Sequence, residues 1–169
     1  SLALAQKPVI DTLDKSVESG KSSIFSRINT DSRTITPTQV FLALKGETFD
    51  GHDFIPALLA QGIQGFVAKK GYMATLAPTL KAQLEKKGLL FFEVENPLTA
   101  LGHLARYQRL RSKVKLIAIT GSNGKTTTRK IIQEIFKTRF HTLATQGNFN
   151  NEIGMPLTLL NLSFAHEWA

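Results

Sequence analysis

One eight-residue run constrains the fold of this chain more than any other feature: Thr120-Gly121-Ser122-Asn123-Gly124-Lys125-Thr126-Thr127. It follows the apolar segment 115–120, which is typical of a central parallel strand covered on both faces, and it precedes a predicted helix over 126–140. Glycines let a backbone curl until successive N–H groups point at phosphate oxygens, and the helix dipole adds partial positive charge there. The run therefore predicts a loop that binds the phosphates of a nucleotide.

The residues of this loop have separate predicted roles. We expect seven of them to contact the nucleotide: Gly121, Ser122, Asn123, Gly124, Lys125, Thr126 and Thr127. Lys125 would reach the β- and γ-phosphates and Thr126 would ligate Mg²⁺ through its hydroxyl, so we predict these two as catalytic and Thr126 as the metal ligand. The usual pattern places a further glycine where this chain has Ile119, so the match is incomplete. A chance Gly-Lys-Thr is the alternative, but the strand before it and the helix after it favour nucleotide binding.

The positive charge of the chain is concentrated around the same loop. The formal net charge is +8. Between Ala105 and Arg139 only Glu134 opposes ten basic residues, which are Arg106, Arg109, Arg111, Lys113, Lys115, Lys125, Arg129, Lys130, Lys137 and Arg139. A nucleic-acid site would interleave aromatic side chains with the basic ones, and this segment holds only Tyr107 and Phe136. The charge therefore favours a phosphorylated ligand, and we expect no nucleic-acid partner.

The composition excludes several other classes of protein. The 169 residues include no cysteine, so a disulfide framework, a thiolate metal site and a cysteine nucleophile are all absent. No apolar run approaches the roughly 18 residues that a membrane span needs, and we expect no membrane insertion. A cytoplasmic protein is the prediction.

Strands and helices alternate along the chain, which predicts an α/β architecture with a parallel sheet. The sequence indicates strands at 40–44, 65–68 and 89–94, and helices at 54–61, 76–87 and 97–111. We place a domain boundary near Ser112, giving a small α/β domain at 1–112 and the start of a phosphate-loop ATPase domain at 113–169. The helix of the second domain carries one apolar stripe, formed by Ile131, Ile132, Ile135 and Phe136. With only two strand candidates, at 115–120 and 141–145, the second domain is too short for a covered parallel sheet, so we expect the chain to be a fragment.

Three motifs together carry a resemblance to a known family. The phosphate loop is one of them, and the others are Asp31-Ser32-Arg33 with the later Asp50-Gly51-His52-Asp53-Phe54, and the run Gly147-Asn148-Phe149-Asn150-Asn151-Glu152-Ile153-Gly154. All three resemble segments of the Mur ligase family, the ATP-dependent enzymes that form amide bonds in peptidoglycan synthesis. The similarity spans residues 31–162.

The resemblance implies a function and a set of ligands. It implies an N-terminal domain that holds a UDP-linked substrate and a central domain that binds ATP with Mg²⁺. The Gly-Asn-x-Asn-Asn run further implies UDP-N-acetylmuramoyl-tripeptide and D-alanyl-D-alanine as substrates, joined through an acyl phosphate. Family members carry an acidic metal ligand on a later strand, and none is recognisable before Ala169, so we expect this fragment to be inactive by itself.

The same resemblance implies seven substrate-binding residues: Ser32, Arg33, Asp50, Gly51, His52, Asn148 and Asn151. Each has a structural alternative. Arg33 could pair with a carboxylate such as Asp31 instead of a phosphate, His52 could be hydrogen-bonded within its loop, and the asparagines could be turn residues.

Two other functions remain open at this level. The chain could be a stand-alone nucleotide-binding module, or it could belong to another member of the family, such as the one that adds diaminopimelate or lysine. We expect a monomer in either case.

Overall fold

The computed structural model describes residues 28–87, 89–146 and 151–169. The helices and strands alternate as the sequence predicts, and the α/β class is confirmed. The strands are β1 (Ile28–Asn29), β2 (Val40–Leu42), β3 (Gly65–Lys69) and β4 (Leu90–Val94). The helices are α1 (Ile55–Gln61, preceded by a 3₁₀ turn at Gly51–Phe54), α2 (Tyr72–Thr75), α3 (Pro78–Lys87), α4 (Pro97–Ser112), α5 (Lys125–Lys137) and α6 (Gly154–Leu160).

The chain divides into two compact units between Leu101 and Gly102, within helix α4. The boundary that the sequence suggests, near Ser112, lies at the carboxyl end of the same helix and stays a prediction. None of the helices in the described ranges has the length and apolar character that crossing a bilayer requires.

The first unit is built on a four-stranded parallel sheet with strand order β1-β2-β3-β4. One core cluster lies under one face of the sheet, where Phe41, Ile55, Phe66 and Leu84 are almost completely buried. On the opposite face Val40, Leu42 and Val67 are equally buried. Burial of each such side chain stabilises the unit by roughly 1.5–3 kcal/mol. Because all four strands are parallel, the loops that follow them meet at one edge of the sheet, where ligands bind in open α/β folds.

Local signals explain two of the helix boundaries in this unit. Helix α1 ends at Gly62, whose φ of 86° is left-handed and whose N–H donates to the carbonyl groups of Leu58 and Leu59. Helix α4 begins at Pro97, and the Asn96 side chain accepts a hydrogen bond from the Thr99 N–H.

The predicted helix at 76–87 is wrong in its first turn. Helix α3 begins at Pro78 and not at Leu76, which has an extended ψ of 142° and follows the short helix α2. Pro78 favours this later start, because a proline disfavours helical geometry in the residue before it, here Ala77, and is well accommodated at the start of a helix.

The second unit has three extended segments joined by parallel bridges, at 115–117, 141–143 and 167–169. Trp168 bridges both Lys115 and Thr142, so the last segment lies between the other two. The expectation that 115–120 forms a central strand covered on both faces stays a prediction. Among the described residues this segment is bridged on one side only, and Leu116 is 41% exposed.

Helix α5 covers these segments with only half of its predicted apolar stripe. Ile132 and Phe136 are half-buried, and the Phe136 ring lies 4.9 Å from the Trp168 ring. Ile131 and Ile135 are more than half exposed. The apolar stripe of α5 is thus wider than the surface that the described residues pack against it.

Candidate nucleotide and substrate sites

The predicted phosphate loop forms a tight curl at the amino end of α5. Gly121 and Gly124 have φ angles of 145° and 78°, which side-chain-bearing residues rarely adopt. Gly124 caps the helix and its carbonyl accepts the Thr128 N–H at 2.9 Å. The glycines at these two positions therefore permit the curl that the sequence predicts.

The curl leaves its hydrogen-bond donors available. None of the described residues accepts a hydrogen bond from the backbone N–H groups of 121–124. The first helical N–H groups of α5 lie directly beyond them, at the positive end of the helix dipole. Such a concentration of backbone donors favours an anion, and phosphate is the anion that suits it best.

Lys125 contacts the same loop through its side chain. Its Nζ donates hydrogen bonds to the carbonyl oxygens of Gly121 and Ser122. The ammonium group is thus held beside the donors that the curl presents. An anion bound in the curl would offer this group charged acceptors, which form stronger hydrogen bonds with an ammonium group than neutral carbonyl groups do.

Four polar residues of the loop and of the first turn of α5 face solvent. Ser122, Asn123, Thr126 and Thr127 are all exposed. Within the described ranges, no group of three His, Cys, Asp or Glu side chains is arranged to hold a metal ion. Thr126 stands on the first turn of α5, where its hydroxyl is accessible to an ion bound with a phosphate.

Part of the basic segment contacts aromatic rings. The guanidinium groups of Arg111 and Arg139 lie 5.3 Å and 6.0 Å from the ring centres of Phe164 and Phe140. The Lys115 ammonium lies 5.2 Å from the ring centre of Trp168. Two of these pairs are not visible in the sequence, because only folding brings Phe164 and Trp168 to their charges. Phe140 directly follows Arg139 and lies one residue beyond the basic segment.

In the first unit, Ser32 and Arg33 follow β1 at the carboxyl edge of the sheet. Arg33 forms a two-pronged ion pair with Asp31, at 2.9 Å and 2.7 Å, and its side chain remains 84% exposed. The Arg33 side-chain hydrogen bonds lower the pKa of the Asp31 carboxyl to about 2, so the pair is ionised at neutral pH. Arg33 thus has the carboxylate partner that the sequence analysis left open, and its exposed guanidinium stays accessible to solvent.

Asp50, Gly51 and His52 follow β2 and lie at the same edge. Gly51 donates its N–H to the Leu44 carbonyl at 2.8 Å, and a Cβ at Gly51 would lie only 2.6 Å from that oxygen. The Asp50 carboxylate accepts the His52 backbone N–H at 3.0 Å. Burial acts to raise the pKa of Asp50, but hydrogen bonds from His52, together with the charge of Lys45, lower it overall.

Both ring nitrogens of His52 have partners inside the protein. The Lys69 backbone N–H donates to Nε2 at 2.9 Å, and Nδ1 lies 2.5 Å from an Asp50 oxygen. The Tyr72 hydroxyl donates to the His52 carbonyl at 2.9 Å, and the two rings lie 5.2 Å apart. These contacts with Lys69 and Tyr72 are not predictable from the sequence, because the two residues lie 17 and 20 positions from His52.

Of the two asparagines predicted to bind substrate, the structure describes Asn151. Asn148 lies outside the described residues. Asn151 caps α6, because its side-chain oxygen accepts the N–H groups of Ile153 and Gly154 at 3.3 Å and 2.7 Å. Its amide nitrogen stays exposed, so the capping role leaves a donor for a ligand.

Comparison with known proteins bears on both units. Residues 25–109 match the Mur ligase family, catalytic domain, and residues 119–168 match the Mur ligase middle domain. A UDP-N-acetylmuramoyl-tripeptide--D-alanyl-D-alanine ligase from Synechocystis is 39% identical over 147 residues, which is 85% of this chain and 30% of the relative.

Solved structures agree with the sequence matches. The UDP-N-acetylmuramoylalanyl-D-glutamyl-2,6-diaminopimelate--D-alanyl-D-alanyl ligase of Acinetobacter baumannii superposes with a TM-score of 0.72 at 37% identity, covering 84% of this chain and 29% of that one. A MurF ligase from Thermotoga maritima in complex with ADP gives 0.71 at 30% identity, covering 88% and 32%. The chain thus spans about 30% of the length of these relatives. The resemblance drawn from the motifs is confirmed, and the chain belongs to the Mur ligase family.

Proposed function

We propose that this chain supplies the UDP-substrate edge and the phosphate loop of a ligase that joins D-alanyl-D-alanine to UDP-N-acetylmuramoyl-tripeptide. The observation that carries the proposal is the phosphate loop, curled at the amino end of α5 in a chain whose relatives are named for that reaction. The ADP complex of the Thermotoga relative supports ATP as the nucleotide.

In the proposed reaction, ATP supplies a phosphoryl group to the terminal carboxylate of the tripeptide, and the amine of the dipeptide then displaces phosphate to form the amide. Positioning and charge neutralisation dominate phosphoryl transfer. The backbone N–H groups of 121–124 bind the phosphate oxygens. Lys125 leaves the carbonyl groups of Gly121 and Ser122 and neutralises charge on the β- and γ-phosphates.

We propose Mg²⁺ as the accompanying ion, with Thr126 as the ligand from this chain. Mg²⁺ usually keeps several waters and takes its other ligands from phosphates and one or two protein groups, so a single exposed hydroxyl fits it. When bound, the ion would supply further neutralisation of phosphate charge.

The UDP moiety would lie at the carboxyl edge of the first unit's sheet. Ser32 and Arg33 come to this edge from β1, and Asp50, Gly51 and His52 come from β2. The fork that Arg33 presents to Asp31 matches a diphosphate equally well. Because the ion pair is exposed, exchanging its carboxylate for a phosphate costs little free energy. We include Asn148 and Asn151 as contacts to the sugar or peptide.

A chimeric ligase tests the proposal, because the chain covers only part of its relatives. Residues 28–169 would replace the corresponding segment of the Synechocystis ligase, and ligated product would be detected by mass spectrometry. We expect D-alanyl-D-alanine to be joined to the tripeptide substrate, and the same chimera with Lys125→Met to be inactive. A product to which diaminopimelate or lysine has been added, and not D-alanyl-D-alanine, would assign the chain to a different family member.

Two further properties belong to the same proposal. We expect the protein to act in the cytoplasm as a monomer, without nucleic acid. Filter binding to duplex DNA over a salt series would show steeply salt-dependent affinity if the basic segment served nucleic acid instead.

A further inference from the structure

His52 is a buried ring whose protonation state follows from its partners. The residue is 8% exposed. A backbone N–H can only donate, so Nε2 must be unprotonated to accept the hydrogen bond from Lys69. Nδ1 then carries the ring proton and donates it to the Asp50 carboxylate. The ring is therefore neutral, with its proton on Nδ1.

This ring connects two neighbouring strand ends. Asp50 belongs to the loop after β2, and Lys69 is the last residue of β3. Within the loop, Lys45 and Asp50 form an antiparallel bridge and the Gly46 N–H donates to the Phe49 carbonyl at 2.9 Å. The loop 45–51 is thus a closed hairpin, and His52 ties its end to the sheet.

Tyr72 holds His52 from the side of α2. Its hydroxyl donates to the His52 carbonyl, and its ring packs against both His52 and Phe66. The hairpin end is therefore attached to two elements, β3 and α2, through one residue. No polar atom of the His52 ring is left for a ligand.

We propose that His52 is a positioning residue, which fixes the 45–51 hairpin against the end of β3 so that the hairpin can contact the UDP moiety. His52 itself does not touch the nucleotide. The inference rests on the proposed function for the identity of the ligand, and on the geometry above for the role of the ring.

Two variants separate the two hydrogen bonds of the His52 ring, one with Lys69 and one with Asp50. In His52→Gln the side-chain oxygen reaches the position of Nε2 and can accept the Lys69 N–H. In His52→Asn the shorter amide reaches only the position of Nδ1 and can donate only to Asp50. Both lose the ring, so the loss of packing is common to the pair.

The probe is UDP, titrated into the 169-residue chain. We expect His52→Gln to bind within about threefold of the parent chain and His52→Asn to bind at least about tenfold more weakly, which corresponds to about 1.4 kcal/mol. Amide hydrogen exchange at Lys69 and Gly51 should quicken in His52→Asn and stay near the parent rate in His52→Gln. The ring ¹⁵N spectrum of the parent chain should show Nδ1 protonated and Nε2 unprotonated, a result that needs no variant.

Each contrary outcome has a distinct meaning. A proton on Nε2 in the parent chain overturns the inference, as does equal UDP affinity in the two variants. A parent chain that fails to bind UDP overturns the proposed UDP site, and the exchange rates then still decide whether His52 anchors the hairpin.

Discussion

Replacing Gly51 with alanine tests whether the substrate edge depends on a close backbone approach. The added Cβ would lie 2.6 Å from the Leu44 carbonyl oxygen and 2.9 Å from the Leu44 nitrogen, closer than real Cβ atoms come to such atoms. The neighbours are backbone, so the hairpin must move by roughly 0.5–1 Å, an overpacking that costs about 1–3 kcal/mol. That movement also stretches the 2.8 Å hydrogen bond from Gly51 to Leu44, which adds about 1 kcal/mol. We expect Gly51→Ala to destabilise the first unit by about 2–4 kcal/mol.

Gly46→Ala is the matched control, because Gly46 lies in the same hairpin with its nearest neighbour at an ordinary 3.4 Å. Both substitutions lower the entropy of the unfolded chain equally, so their difference reports the native contact alone. Native-state hydrogen exchange at the amides of β2 and β3 measures the opening free energy of this unit. Equal opening free energies in the two variants would refute the reasoning.

Three smaller changes test other features. In calorimetric titration, Lys125→Met should weaken ADP binding at least about tenfold, while Lys130→Met on the same helix should change it less than about twofold. Equal losses of affinity would mean that only the overall charge of the chain matters. Gly102→Ala, in a helix with nothing within 4 Å of the new methyl group, should stabilise the chain by up to about 1 kcal/mol in urea unfolding, and a loss would contradict the open surroundings. Burial and the neighbouring His141 lower the pKa of His166, so the folded chain disfavours protonation and is destabilised as the pH drops below about 6.5. His141→Ala should raise the pKa of His166 in an NMR titration. An unchanged pKa would exclude the coupling between the two rings.

The features that the sequence predicts well are those determined by neighbours in the chain. Helix α1 ends at Gly62 and helix α4 starts at Pro97 because a glycine and a proline act on the dihedral angles of their own residues. The phosphate loop belongs to the same class. Its donors are backbone groups, and the positive φ angles of Gly121 and Gly124 are the property that a glycine pattern reports directly.

The features that the sequence does not predict depend on residues far apart in the chain. The segment 167–169 lies between 115–117 and 141–143, and a chain order of strands contains no information about that spatial order. The role of His52 is hidden for the same reason. Asp-Gly-His is compatible with a ligand-binding turn and with a structural one, and the distinction depends on the contact with Lys69.

The ion pair between Arg33 and Asp31 does not exclude the phosphate contact that we propose for Arg33. With the Asp31 pKa at about 2, the carboxylate loses its charge only as the pH falls from about 4 towards 2, so near neutral pH Asp31 stays charged. Under the proposed function a diphosphate would therefore compete with Asp31 for the guanidinium group, and pH would not decide the competition. Because Arg33 is 84% exposed, solvent screens the pair and the carboxylate holds the fork in a geometry suited to oxygen pairs without binding it strongly. An exposed Arg-Asp pair beside a ligand edge is thus compatible with a preorganised phosphate contact, because the structural partner orients the group that the ligand then takes over.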